Sequence, residues 1–239
     1  MRHILAVGSS AVLGLALAAP GAVITSTSTS APSTNVVISQ TTSTSERTMW
    51  DIDPAPAATP ANVTVRAGGQ SFTTTSSFVL DKITMKISNY DATTYPATKG
   101  ASFTLDLFEF SSASASSTTN APILSQTGVL PTDIAAGKFV TFDPSTNITL
   151  TSGKVYGYRL ELTTNNSNVK FAVNGNNPYT GGRLLEYYTF SDTTPAGWQN
   201  PTGSSGWDYQ FYVQSAVPEP GTLSLLGAGA LLLMRRRRH

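Results

Sequence analysis

Histidine occurs only at His3 and His239, and cysteine does not occur, so residues 4–238 hold neither side chain. That removes Ser-His-Asp and Cys-His catalysis, thiolate zinc sites and imidazole metal sites together. It also means that a body outside the cytosol must be stable by packing alone. Carboxylate chemistry, lysine chemistry and an oxygen-ligand Ca2+ site remain. A glycosidase needs two carboxyl groups ~5–9.5 Å apart across the scissile bond. Glu109, Glu161 and Glu186 fall on candidate strands, where solvent-facing acids serve ordinary solubility, and no catalytic residue is assigned. Asp51, Asp53 and Asp208 are the candidates for hard oxygen ligands to a structural Ca2+. No EF-hand pattern accompanies them, and Asp51-Ile52-Asp53 also reads as a solvated turn, so no other cofactor is expected.

Aromatic side chains in polar loops are the other candidates, because sugar-binding modules stack pyranose rings on exposed aromatic faces. Trp198 sits in Pro195-Ala196-Gly197-Trp198-Gln199-Asn200 and Tyr179 in Asn176-Asn177-Pro178-Tyr179-Thr180-Gly181-Gly182, with Tyr187 and Tyr188 following. The alternative is that all four cap the ends of a core. Trp207, Tyr209 and Phe211 are assigned to that core.

The elements that carry these residues repeat with a period of two. Val79, Ile83, Met85 and Ile87 share one face of a predicted strand over 78–88, with Asp81 the exception, and Phe103, Leu105 and Leu107 do likewise over 102–110. Tyr156, Tyr158, Leu160 and Leu162 alternate with Val155, Gly157, Arg159 and Glu161; Trp207, Tyr209, Phe211 and Val213 alternate with Asp208, Gln210, Tyr212 and Gln214. Such alternation marks half-buried antiparallel strands. Shorter candidates lie at 70–74, 123–130, 138–142, 147–150, 169–173 and 183–188. Some ten strands with no convincing helix before Gly221 predict an all-β, two-sheet antiparallel sandwich over 61–216. The Ser/Thr/Pro-rich stretch 23–60 is expected to be a flexible arm, with Val36-Val37-Ile38 available as a first edge strand.

The two ends read as addresses. Met1-Arg2-His3, an apolar run over 4–19 and small residues near Ala16, Ala18, Pro20 and Ala22 predict a secretory signal peptide over 1–22, with a retained N-terminal anchor as the alternative. At the other end, residues 221–234 carry no charge and precede Arg235, Arg236, Arg237 and Arg238. A 14-residue helix rises only ~21 Å, short of the ~30 Å hydrocarbon layer. The arginine cluster nevertheless favours a transmembrane helix stopped on the cytoplasmic side over a buried core helix. Between Val23 and Val217 there are 10 Lys plus Arg and 13 Asp plus Glu. The body is thus mildly acidic without a basic cluster, and nucleic acid is not an expected partner.

Val217-Pro218-Glu219-Pro220-Gly221-Thr222, the apolar run and the four arginines together resemble the PEP-CTERM sorting signal of Gram-negative and related bacteria that make extracellular polysaccharide. The resemblance covers residues 217–239, about a tenth of the chain. It implies recognition of Pro218, Glu219 and Pro220 by an exosortase-type membrane protease, inner-membrane anchoring during sorting, and delivery to the cell surface or matrix. Both prolines keep the motif extended and accessible at the membrane edge. A second resemblance rests on Gly69-Gln70-Ser71-Phe72, Phe78-Val79-Leu80-Asp81-Lys82-Ile83-Thr84, Leu150-Thr151-Ser152-Gly153-Lys154-Val155-Tyr156, Tyr179-Thr180-Gly181-Gly182 and Asp208-Tyr209-Gln210-Phe211. These segments are similar to the choice-of-anchor jelly-roll domains that precede surface-sorting tails, and imply a jelly-roll-like sandwich. The function expected from all of this is non-enzymatic: a glycan-binding or structural protein of the extracellular polysaccharide layer or biofilm. A secreted carboxylate-dependent glycoside hydrolase is the contrasting reading.

Overall fold

A computed structural model describes residues 21–51, 63–199 and 206–216. Residues 1–20 of the expected leader, the tail with Pro218, Glu219, Pro220, Arg235, Arg236, Arg237 and Arg238, and the candidate ligand Asp53 lie outside the described residues. Among the described residues no helix is long and apolar enough to cross a membrane.

The alternating sequence folds as strands throughout. In chain order they are β1 (Ile24–Ser28), β2 (Val36–Gln40), β3 (Ser45–Asp51), β4 (Val63–Thr73), β5 (Phe78–Asn89), β6 (Ser102–Phe110), β7 (Leu124–Val129) and β8 (Phe139–Asp143). Then follow β9 (Ile148–Leu150), β10 (Val155–Leu162), β11 (Ser167–Asn174), β12 (Leu184–Phe190), β13 (Gly197–Gln199), β14 (Asp208–Tyr209) and β15 (Phe211–Ser215). A 3-10 turn, Pro96–Thr98, lies between β5 and β6.

Every pairing between these strands is antiparallel. The main path runs β1-β8-β5-β11-β3-β4-β10-β6-β7; β15 lies between β5 and β2, and β12 joins β4 to β13. The two ends of the path meet, for the Val23 amide donates to the Thr127 carbonyl at 2.8 Å and the Thr25 hydroxyl to the Val129 carbonyl at 2.7 Å. The sheet therefore folds over one core. Ile83, Met85, Phe142, Phe211 and Val213 from one side meet Phe72, Leu105, Tyr158 and Leu160 from the other in a single buried cluster. This is the two-layer solution expected of strands that are apolar on one face.

The predicted inner faces of β6 and β10 are buried as expected. On the last strand pair Tyr209, Phe211 and Val213 are fully buried, with Trp207 half-buried against them. β5 differs in phase. Ser215 opposes Leu80 while Gln214 opposes Lys82, so Asp81 is the extra residue of a β-bulge. The bulge turns Leu80, rather than Val79, into the core.

The Ser/Thr-rich stretch also differs from expectation. Instead of a flexible arm it supplies β1, β2 and β3, paired to β8, β15 and β11. Backbone groups make those ladders whatever the side chains, and β-branched threonines suit the extended conformation. β4 likewise begins at Val63, before the predicted Gln70, and contains a glycine that the packing demands. A Cβ on Gly69 would lie 1.7 Å from the Tyr158 carbonyl oxygen.

The start of β1 and the finish of β15 lie at one end of the fold. Ile24 is opposite Asp143, Lys82 reaches Asp143 at 3.6 Å, and Lys82 is opposite Gln214. The four residues form one row across three strand spacings, about 14 Å.

Candidate functional site

On β12 alternate residues take opposite faces, and Glu186 falls on the inner one with Leu184 and Tyr188. Neighbouring β4 and β3 bring Arg66 and Arg47 to it. Both guanidiniums donate to Glu186 Oε1, and the Tyr188 hydroxyl donates to Oε2 at 2.9 Å. Arg66 also lies over Trp50 at 5.0 Å and over Tyr188 at 5.6 Å, and Arg47 over Trp207 at 5.5 Å. Glu186 is 1% exposed, which corrects its expected solvent-facing position. Burial alone would raise its carboxyl, but the Arg47 hydrogen bond and the charges of both arginines outweigh burial and hold it below 4.5. A carboxylate so occupied on both oxygens holds three strands together.

The outer face of the same sheet carries a second cluster. Trp198 on β13 lies opposite Tyr187 on β12 and meets Phe108, Tyr187 and Phe110 edge-on at 5.3, 5.5 and 5.8 Å. Arg159 fills the centre, 4.2 Å from Tyr187, 5.6 Å from Phe108 and 5.7 Å from Trp198, and its Nη2 donates to Asp106 Oδ2 at 2.6 Å. Glu161 adds a contact to Arg159 at 3.7 Å. Burial raises the Glu161 carboxyl above its ordinary value, with Arg159 pulling the other way.

Tyr179 is in a third place. Its ring meets Phe211 edge-on at 5.4 Å, its hydroxyl accepts from the Thr73 amide, and its own amide donates to Asp208 Oδ2 at 3.0 Å. Of the four aromatics singled out in the sequence, the structure therefore brings Trp198 and Tyr187 together. Tyr188 lies in the inner cluster and Tyr179 at the edge of the main core. Consecutive Tyr187 and Tyr188 point to opposite faces because the strand period is two.

The acidic candidates do not converge. Asp208 is fully buried on β14 and accepts from Gln70 Nε2 at 2.7 Å. Burial pushes its carboxyl up to about 6, with the Tyr179 and Gln70 hydrogen bonds opposing. Asp208 is opposite Asn174 on β11, whereas Asp51 is opposite Ser167 at the other end of that strand. Seven residues at ~3.3 Å each separate those partners by about 23 Å. Among the described residues no group of three or more Asp, Glu, His or Cys side chains is placed to hold a metal ion.

Open clefts are present on the surface of the described residues. One, of about 410 Å3, lies among Ser112, Ser114, Asn177, Thr180 and Arg183. Another, of about 580 Å3, is bounded by Asn89, Tyr90, Asp91, Tyr95, Asn168 and Lys170. Sequence reasoning passed over this second group. Its signal was a polar turn directly after a long strand, Asn89-Tyr90-Asp91-Ala92-Thr93-Thr94-Tyr95-Pro96, with an aromatic at each end. Asp91 Oδ1 accepts from the Thr93 and Thr94 amides at 2.9 and 3.0 Å, fixing the turn. Hydrogen bonds from Thr94 and Thr93 hold the Asp91 carboxyl below its ordinary value. Lys170 Nζ donates to Glu46, and Lys99 Nζ lies 5.7 Å over the Tyr90 ring.

The model of the PEP-CTERM protein-sorting motif matches residues 216–238, immediately after β15. No curated protein matches the chain. The motif implies export, membrane anchoring during sorting, and processing by exosortase, a membrane protein.

Proposed function

We propose that the exported β-sandwich is a jelly-roll-like domain and a non-enzymatic glycan-binding protein of the cell surface or extracellular matrix. It works in the polysaccharide layer or biofilm once the tail has been recognised at Pro218, Glu219 and Pro220. The observation that carries this reading is the sorting motif at residues 216–238, because a protein handed to the outer surface meets polysaccharide first. The carboxylates support a binding role over hydrolysis. Glu186 is held by two arginines and Asp106 by Arg159, and Asp208 accepts hydrogen bonds from Gln70 and Tyr179. Neither of the two clefts described above is lined by two acids, whereas hydrolysis needs a facing pair.

The test is a pull-down of the full-length chain, held in detergent, on insoluble polysaccharide together with a reducing-end assay on the same samples. Retention without release of reducing ends is the expected result. Release of new reducing ends would return the assignment to a hydrolase, and absence of retention would leave a structural protein.

A further inference from the structure

The cleft beside β5 is built from three kinds of group that recognise sugars. Tyr90 and Tyr95 supply half-buried aromatic side chains, Asn89 and Asn168 supply amides that both donate and accept, and Asp91 and Lys170 supply a fixed acceptor and a donor. Its volume of about 580 Å3 falls within the ~300–1,000 Å3 of small-ligand sites. The walls are preorganised. Tyr90 is seated on the main core and Tyr95 on the Trp50–Val63–Tyr188 cluster, while the Tyr95 amide donates to the Asp91 carbonyl at 2.9 Å. Thr98 Oγ1 exchanges hydrogen bonds with the Asn168 backbone at 2.9 and 3.0 Å. Little ordering is left for a ligand to impose.

We propose that this cleft is a binding subsite for a neutral, hydroxyl-rich polysaccharide chain, an inference that rests on the glycan-binding reading above. The neutral class follows from the charges. Lys170 is matched by Glu46, and Lys99 over Tyr90 is balanced by the exposed carboxylate of Asp91, so no net field gathers a polyanion. Position agrees with the assignment. Asn89 is seven residues up β5 from Lys82, in whose row lie Ile24 at the start of β1 and Gln214 near the finish of β15. That distance is about 23 Å at ~3.3 Å per residue, so a chain still anchored by its tail presents the cleft away from the membrane.

The experiment is affinity electrophoresis of the full-length protein in detergent through gels containing laminarin, galactomannan or alginate. Wild type is compared with Tyr95→Ala, Asn168→Ala and Trp198→Ala, and melting curves confirm that each variant is folded. Asn168→Ala leaves both backbone bonds to Thr98 in place, so it reports on the cleft even if Tyr95→Ala unfolds the protein. The expected result is retardation of wild type by a neutral polymer, weakened at least about fivefold in Tyr95→Ala and in Asn168→Ala, the loss that follows removal of one significant contact. Retardation that survives Asn168→Ala but disappears in Trp198→Ala would keep the glycan reading and overturn this cleft. Retardation by alginate alone would overturn the ligand class. No retardation of wild type by any polymer would end the glycan-binding reading itself.

Discussion

Glu186→Ala removes the carboxylate that Arg47 and Arg66 share at the meeting of β12, β4 and β3. Breaking a buried ion pair by deleting one partner costs about 3–5 kcal/mol, because the remaining charge stays out of water. The Arg47 side chain is 22% exposed and the Arg66 side chain 11%. Arg47 thus regains water readily and Arg66 does not, which places the electrostatic loss near the lower bound, about 3 kcal/mol. The Tyr188 hydroxyl loses its acceptor as well, adding about 1 kcal/mol. For a body of this size ~1 kcal/mol moves Tm by about 2–4 °C, so Glu186→Ala is expected to melt roughly 8–16 °C below wild type.

Guanidinium titration followed by tryptophan fluorescence checks the figure, and Trp50 and Trp207 lie against the two arginines. The pH dependence supplies a second reading. The folded Glu186 carboxyl lies below its unfolded value, so its contribution is fully present above the unfolded value and is lost as pH falls through the folded one. Glu186→Ala should lack that acid limb. Replacing all three residues with leucine and two methionines should recover most of the stability, since apolar substitutes of similar volume commonly match a buried ion cluster. A loss under ~1 kcal/mol in Glu186→Ala, with the acid limb intact, would refute the claim that this cluster holds the sheet.

Asp208 runs in the opposite direction. Its folded value of about 6 exceeds the ordinary 3.8, so the folded state keeps a proton that the unfolded state has released, and stability falls as pH rises from about 4 to about 6. Asp208→Asn should flatten that slope in urea titrations at successive pH values, and a slope unchanged in the variant would contradict the burial argument. Trp198→Ala takes a half-buried indole away from Phe108, Phe110 and Tyr187. It should cost about 1.5–3 kcal/mol, less than the ~3–5 of a fully buried tryptophan, measured by the shift in denaturation midpoint.

The strands with large apolar side chains on alternate positions were legible in the sequence, because a period of two over eight or nine residues is unambiguous in β6 and β10. β1 was not. Ile24-Thr25-Ser26-Thr27-Ser28 presents hydroxyls on both faces, and what orders it is its ladder to β8, more than a hundred residues away. The bulge at Asp81 was visible only as an interruption, since an extra residue is defined by its partner strand. Glu186 looked like a surface acid because its partners lie 120 and 139 positions away. The Trp198–Tyr187 contact follows from a hairpin that pairs β12 with β13, and the loop composition did signal its aromatics. The Tyr90–Tyr95 cleft needs β11 as its second wall, so the turn alone could not show it.

β15 is an interior strand, with β5 on one side and β2 on the other, and it is the last of the described strands. Until β15 is in place, Ile83 and Met85 lack their cross-strand partners Val213 and Phe211. The hydrophobic interior is therefore completed only when β15, made after the other described strands, takes its place between β5 and β2. Ser215 and Pro218 are three residues apart, a leash of at most ~11 Å. Because the sorting motif begins at residue 216, directly after Ser215, an exosortase that processes it works close to the end of β15, and the rim of the sandwich around Ser215 becomes part of what that enzyme must accommodate.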